Sequence, residues 1–156
     1  MVSKLHVIFL SLCFMVTALM GTEIAQAALG ESVDSVAMDM NALSASQGET
    51  TVQNGYTIHN IKNDSVSVRE YVSPSGAVFG IAWNGMIHPD LTTLLGTYFG
   101  EYQEALKQSI FKPGSKFSQI KTNNVVVEKW GHMRNIQGHA YVPTLIPKGV
   151  DFDEIK

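Results

Sequence analysis

The chain has a single cysteine, Cys13, in 156 residues. A lone thiol forms no internal disulfide, and it excludes thiolate zinc clusters as well. Charge is scarce at 16 % and nearly balanced, with 11 Lys and Arg against 14 Asp and Glu. With a net charge of −3 and no basic run, nucleic acid is not an expected partner. The HExxH pair of zinc hydrolases and the GxSxG elbow of serine hydrolases are missing. So is a phosphate-cradling glycine loop, because Gly76 to Gly80 has the wrong spacing and no following Lys. What remains is a chain of one-domain length that is 45 % hydrophobic, too apolar for disorder.

Residues 1–27 read as a secretory signal peptide. Lys4 supplies the positive start, Leu5 to Met20 is mostly apolar, and Ala25 and Ala27 form an A-x-A cleavage site. The apolar stretch is short for a bilayer core of about 30 Å, and no positive stop-transfer cluster follows it. Cleavage before Ala28 is therefore expected, with no membrane span left afterwards. A lipidated cysteine would need a small residue where Leu12 precedes Cys13, so no lipoprotein is expected. Cleavage removes that cysteine, and the domain over 28–156 then depends on its core alone for stability. Thiol nucleophiles and thiol redox chemistry go with it.

Val33, Val36, Ala37, Met40 and Leu43 recur at helical spacing, which predicts a short helix over Ser32 to Ala45. Gln47 to Gly55 is polar and bounded by glycine, and reads as a linker or loop. Three strands follow, over Tyr56 to Lys62, Ser65 to Ser73 and Ala77 to Trp83, joined by Asn63-Asp64 and Pro74-Ser75-Gly76 turns. The third is apolar at both parities and should be covered on both faces. Pro89 to Lys107 predicts an amphipathic helix with a stripe of Leu91, Leu94, Leu95, Tyr98, Phe99, Tyr102 and Leu106. Pro89 and Asp90 suit its N-terminus. Gly96 and Gly100 lie on one face, where close packing on the sheet is expected. Val125 to Trp130 and Met133 to Val142 complete the strands, with a turn at Gly131-His132 and a candidate bulge at Gly138. The fold class expected is α+β: a single small domain of about five mainly antiparallel strands on one long amphipathic helix, plus a short N-terminal helix. An extended tail over about 143–156 ends it.

Three segments carry a resemblance: Val68 to Gly85 (VREYVSPSGAVFGIAWNG), Pro89 to Phe99 (PDLTTLLGTYF) and Gly131 to Pro143 (GHMRNIQGHAYVP). With the Ala28-Leu29-Gly30 start, they resemble DUF2844, a family of exported proteobacterial proteins of unknown function. The resemblance implies a Gram-negative exported protein, periplasmic or secreted. It brings no activity, cofactor or catalytic residues with it.

The candidate sites are therefore read from the residues. His59, His88, His132 and His139 show no metal-ligand spacing, so no metal or other cofactor is expected. Glu101 and Glu104 read as a solvated helix face, and Ser73 and Ser75 as turn chemistry. Glu70 shares parity with Val66, Val68 and Val72 and should be partly buried, with Arg134 as a candidate salt-bridge partner. The strongest recognition signal is the last hairpin. Trp130, His132, Arg134, His139 and Tyr141 combine ring surface with hydrogen-bonding groups, and alternation turns His139 and Tyr141 away from the core. The function expected is a non-enzymatic binding or accessory protein that contacts a protein partner in the cell envelope. Two alternatives stand beside it: a metal-dependent or hydrolytic enzyme using His88, His132 and Glu70, and a small-ligand binder stacking on Trp83, Trp130 and Tyr141.

Overall fold

The computed structural model describes residues 29–32, 41, 44, 46–109 and 116–151. The expected signal peptide and nearly all of the expected N-terminal helix lie outside them. Ser32, which that helix was to include, makes an isolated antiparallel bridge with Ala77 instead.

The described chain is mostly β. Seven strands form one antiparallel sheet: β1 (Ser46–Gln53), β2 (Tyr56–Lys62), β3 (Val66–Val72), β4 (Val78–Gly85), β5 (Phe117–Lys121), β6 (Val126–His132) and β7 (Asn135–Tyr141). Their order in the sheet is β1-β2-β3-β4-β7-β6-β5. The expected five strands are thus corrected to seven, and the two additions are the sheet's two edges. β1 occupies the stretch expected to be a linker. It is polar because an edge strand has only one neighbour and little to bury; Val52, its one aliphatic residue, is 78 % exposed. β5 buries only Ile120. Neither strand carries the apolar alternation by which a half-buried strand is recognised.

Helical structure runs from α1 (Leu91–Leu95) through one 3-10 turn (Gly96–Tyr98) into α2 (Phe99–Gln108). The continuous helix expected here is broken at Gly96, whose φ of 46° and ψ of −119° are open to glycine and not to an ordinary side chain. No described residue comes within 4 Å of where a Cβ on Gly100 would lie, so close packing at that position is also corrected. Leu94, Leu95 and Tyr102 are buried against the sheet, while Leu106, at the far end of the stripe, turns out to solvent. Asp90 caps α1: its carboxylate accepts from the Thr92 amide at 2.9 Å and from the Thr93 hydroxyl at 3.0 Å. Asp90→Ala should cost about 1 kcal/mol, measured as a shifted urea midpoint at neutral pH. Partial burial raises the Asp90 pKa, but the Thr92 and Thr93 bonds outweigh it, and the net value lies below the ordinary 3.8. The stabilisation is therefore present above pH 3.8 and is lost as pH falls through the lower folded value, so variant and parent should converge in acid.

Apolar clusters form on both faces of the sheet. On one, Ile61, Val68, Val72, Val78, Ile81, Trp83, Ile120, Val127 and Ala140 pack beneath the helical segment. Leu29 joins them, fully buried, its amide bonded to the Leu94 carbonyl at 3.0 Å. On the other face, Tyr56, Tyr71, Phe79 and Ala82 form a second cluster. A bulge opposite Tyr71 and Val72 leaves Phe79 as the extra residue and turns its ring to this side. The chain after β7 makes a 3-10 turn over Pro143–Leu145 and lays Leu145, Ile146 and Val150 on the same cluster. Its described part is a cover for β2, β3 and β4. The adjoining half of this face, on β7, β6 and β5, lies beyond that cluster. The candidate bulge at Gly138 is not one, because β6 and β7 pair without a register shift through it.

Candidate functional site

The β6–β7 hairpin turns at Met133-Arg134, two residues later than expected. Arg134 takes a φ of 64°, a conformation for which Gly131-His132 had seemed the better candidate. The turn sets the register His132↔Asn135, Trp130↔Gln137 and Glu128↔His139. Parity then places Trp130, His139 and Tyr141 together on the face away from the helix, and Ile136, Ala140 and Val142 on the helix side.

The three rings do meet. Trp130 stands edge-on to His139 with centroids 5.3 Å apart, and His139 is tilted against Tyr141 at 6.1 Å. Glu128 completes the group, its Oε2 lying 3.2 Å from His139 Nε2, while Gln119 Nε2 donates to its other oxygen. Burial, and then the Glu128 charge, raise the Tyr141 pKa above its ordinary 10.0. His139 was expected to point into solvent. It is only 4 % exposed, enclosed by the two rings and the carboxylate, and so helps to hold the surface in shape. Directly across from Trp130 on β5 stands Phe117, 51 % exposed. Phe117 and Glu128 are the members of this group that sequence reading missed; the register, once the turn is placed, would have found Glu128 opposite His139.

His132 and Arg134 sit apart from the rings, exposed at the hairpin end. His132 lines a cleft of about 360 Å³ with His88, Lys116, Phe117, Lys129 and Met133. Lys129 Nζ donates to the Tyr102 hydroxyl at 2.8 Å and stands 5.5 Å from that ring's centre. Burial, and then the nearby Lys129 charge, lower the His88 pKa from its ordinary 6.5.

Neither alternative trio assembles. His88 and His132 share the cleft, but Glu70 is 1 % exposed within the helix-side layer. Its row runs through Ile81 and Ala140 to Val127, five residues along β6 from His132, or about 17 Å at the strand rise. Arg134, its candidate ion partner, stands at the far hairpin tip. Trp83 is buried beneath the helix, with its ring against Gly138, and so lies on the opposite face from Trp130 and Tyr141. Among the described residues no group of three or more His, Cys, Asp or Glu side chains is placed to hold a metal ion. Among the same residues no helix is long and apolar enough to cross a membrane.

Comparison with curated proteins and with solved structures finds no match. The family comparison does: over residues 25–155, nearly the whole chain, the sequence matches "Protein of unknown function (DUF2844)", and the protein belongs to that family.

Proposed function

We propose that the protein is exported across the inner membrane of a Gram-negative bacterium, loses residues 1–27, and acts in the periplasm or outside the cell as a non-enzymatic binding or accessory protein. It works by contact with another protein of the cell envelope. The observation that carries this reading is the ring group on β5, β6 and β7, on the sheet's outer face. There Phe117, Trp130 and Tyr141 present ring surface around buried His139 and its half-buried partner Glu128. Aromatic anchors on a rigid sheet, rimmed by Gln119 and Gln137, match the make-up of protein contact surfaces better than that of a reaction site. The sequence of residues 1–27 supports export, and the burial of Leu29 just beyond the expected cleavage point suits a mature N-terminus that begins by docking.

Capture from native periplasm with the mature domain tests the contact. Phe117→Ser with Trp130→Ser should leave the circular dichroism spectrum unchanged and abolish capture of the partner that the parent retains. Equal capture by parent and variant would refute the surface. Export is read separately: bulky residues at Ala25 and Ala27 should leave a larger precursor uncut.

A further inference from the structure

The cleft at the end of β5, β6 and β7 adjoins the ring surface, with Phe117 and Trp130 common to both, but differs from it in chemistry. Four of its lining side chains are basic: His88 from the loop after β4, Lys116 at the start of β5, and Lys129 and His132 on β6. Among the described residues no carboxylate lines it, in a chain whose acidic residues outnumber its basic ones. Apart from Ser118 and Gly131, its remaining wall is apolar, with Phe117, Trp130, Met133 and Ile136. Met133 is 95 % exposed and Phe117 51 %, so the mouth itself is apolar.

Lys129 is the fixed point. Tyr102, 3 % exposed, holds the ammonium from the helix side with its hydroxyl. An ammonium has three donors, and the hydroxyl takes one of them. The position of the charge is thus set before any ligand arrives, which reduces the ordering cost of binding. Gly131 fits the chain tightly here: at its φ of 129°, an added Cβ would meet the Asn135 carbonyl oxygen. The strand end that presents Lys129 and His132 is therefore sterically fixed.

From this geometry we propose that the cleft binds a small ligand carrying an oxyanion, carboxylate or phosphate, on a short apolar body. Lys129 and Lys116 hold the oxyanion, and His88 and His132 supply further donors. Met133, Ile136 and Phe117 receive the apolar part. The volume of about 360 Å³ lies at the small end of ligand sites and suits a single-ring compound. Burial, and then the Lys129 charge, lower the His88 pKa, and an anion seated between the two groups opposes the second effect. Ligand binding then raises the His88 pKa. Lys116, Lys129, His132 and, through its hydrogen bond to Lys129, Tyr102 are the other titratable groups facing this point.

Phenyl phosphate and benzoate, added to the labelled mature domain and followed by amide NMR, test the proposal, with inorganic phosphate and benzyl alcohol as the two halves. One of the two complete probes should shift the Ser118, Gly131 and His132 amides saturably at millimolar concentration, and the stronger one names the oxyanion. Each half should bind at least tenfold more weakly than that probe. Lys116→Glu changes an exposed residue without touching the core and should weaken the stronger probe about tenfold. The His88 ring resonances should titrate at higher pH in its presence. The proposal falls if neither complete probe shifts these amides. It falls equally if benzyl alcohol binds as well as the complete probes, or if Lys116→Glu and Lys129→Met both bind as the parent does.

Discussion

Leu95→Ala is expected to cost the domain about 2–5 kcal/mol, the range for removing a buried leucine when the surrounding structure closes only part of the cavity. Leu94 and Leu95 are both fully buried, yet the helix that carries them has five residues before Gly96 ends it. A segment that short has no stability of its own in water, so α1 persists because these two side chains are buried beneath it. Loss of one should also loosen what α1 holds, including the bond from the Leu29 amide to the Leu94 carbonyl. The melting temperature should fall by roughly 10 °C or more, and with a single cysteine in the chain no internal disulfide limits the unfolded state. Calorimetry of parent and variant decides it. An unchanged melting temperature would mean that the helix rests on the sheet without contributing to the core.

What the sequence revealed and what it hid divide along one physical line. Strands that bury apolar residues announced themselves: β2, β3, β4, β6 and β7 were all visible, including the two-sided burial of β4. Strands that complete the sheet by backbone pairing were silent. The Ser46–Gln53 segment contains Gly48, Glu49 and two glutamines, and nothing in its side chains demands a sheet. β2 supplies the demand, by offering its free edge. The helix was legible as an apolar stripe, but its break was not, because the same glycine is compatible with a packed face and with a left-handed turn. At the candidate site, ring identity and parity were readable, and burial was not. His139 looks like a surface residue in the sequence because its enclosure depends on Trp130 and Glu128 from the neighbouring strand. Its pairing depends in turn on a turn at Met133-Arg134, and a non-glycine residue at positive φ is a weak signal in sequence. The cleft lysines carried no signal at all. Lys116 and Lys129 lie thirteen positions apart in the chain and come to line one cleft because β5 and β6 are a hairpin.

Gly138→Ala should be nearly as damaging as loss of the buried leucine, at about 3 kcal/mol, although it adds only one methyl group. A Cβ there would lie 2.4 Å from Trp83 Cζ2 and 2.6 Å from the Glu128 carbonyl oxygen. Real carbon contacts do not survive at those distances, so either the indole or the β6 backbone must move. The two obstacles can be separated. Trp83→Leu removes the ring and leaves the carbonyl, and by itself it should cost several kcal/mol for the cavity it opens in the helix-side core. In the double variant Gly138→Ala, Trp83→Leu, the new methyl has space where the ring was. The combined loss should then fall short of the two single losses added together by about 1 kcal/mol or more, a coupling that only neighbouring residues show. Strict additivity in urea unfolding would place the whole cost on the Glu128 carbonyl. That second outcome has its own signature. Glu128 sends its side chain to His139 on the outer face, so a displaced β6 backbone would alter the Trp130–His139 contact while the Trp83→Leu single variant left it intact. The environment of Trp130, read by its fluorescence in a Trp83→Leu background with and without Gly138→Ala, reports whether one glycine on the helix side sets the shape of the ring surface on the other.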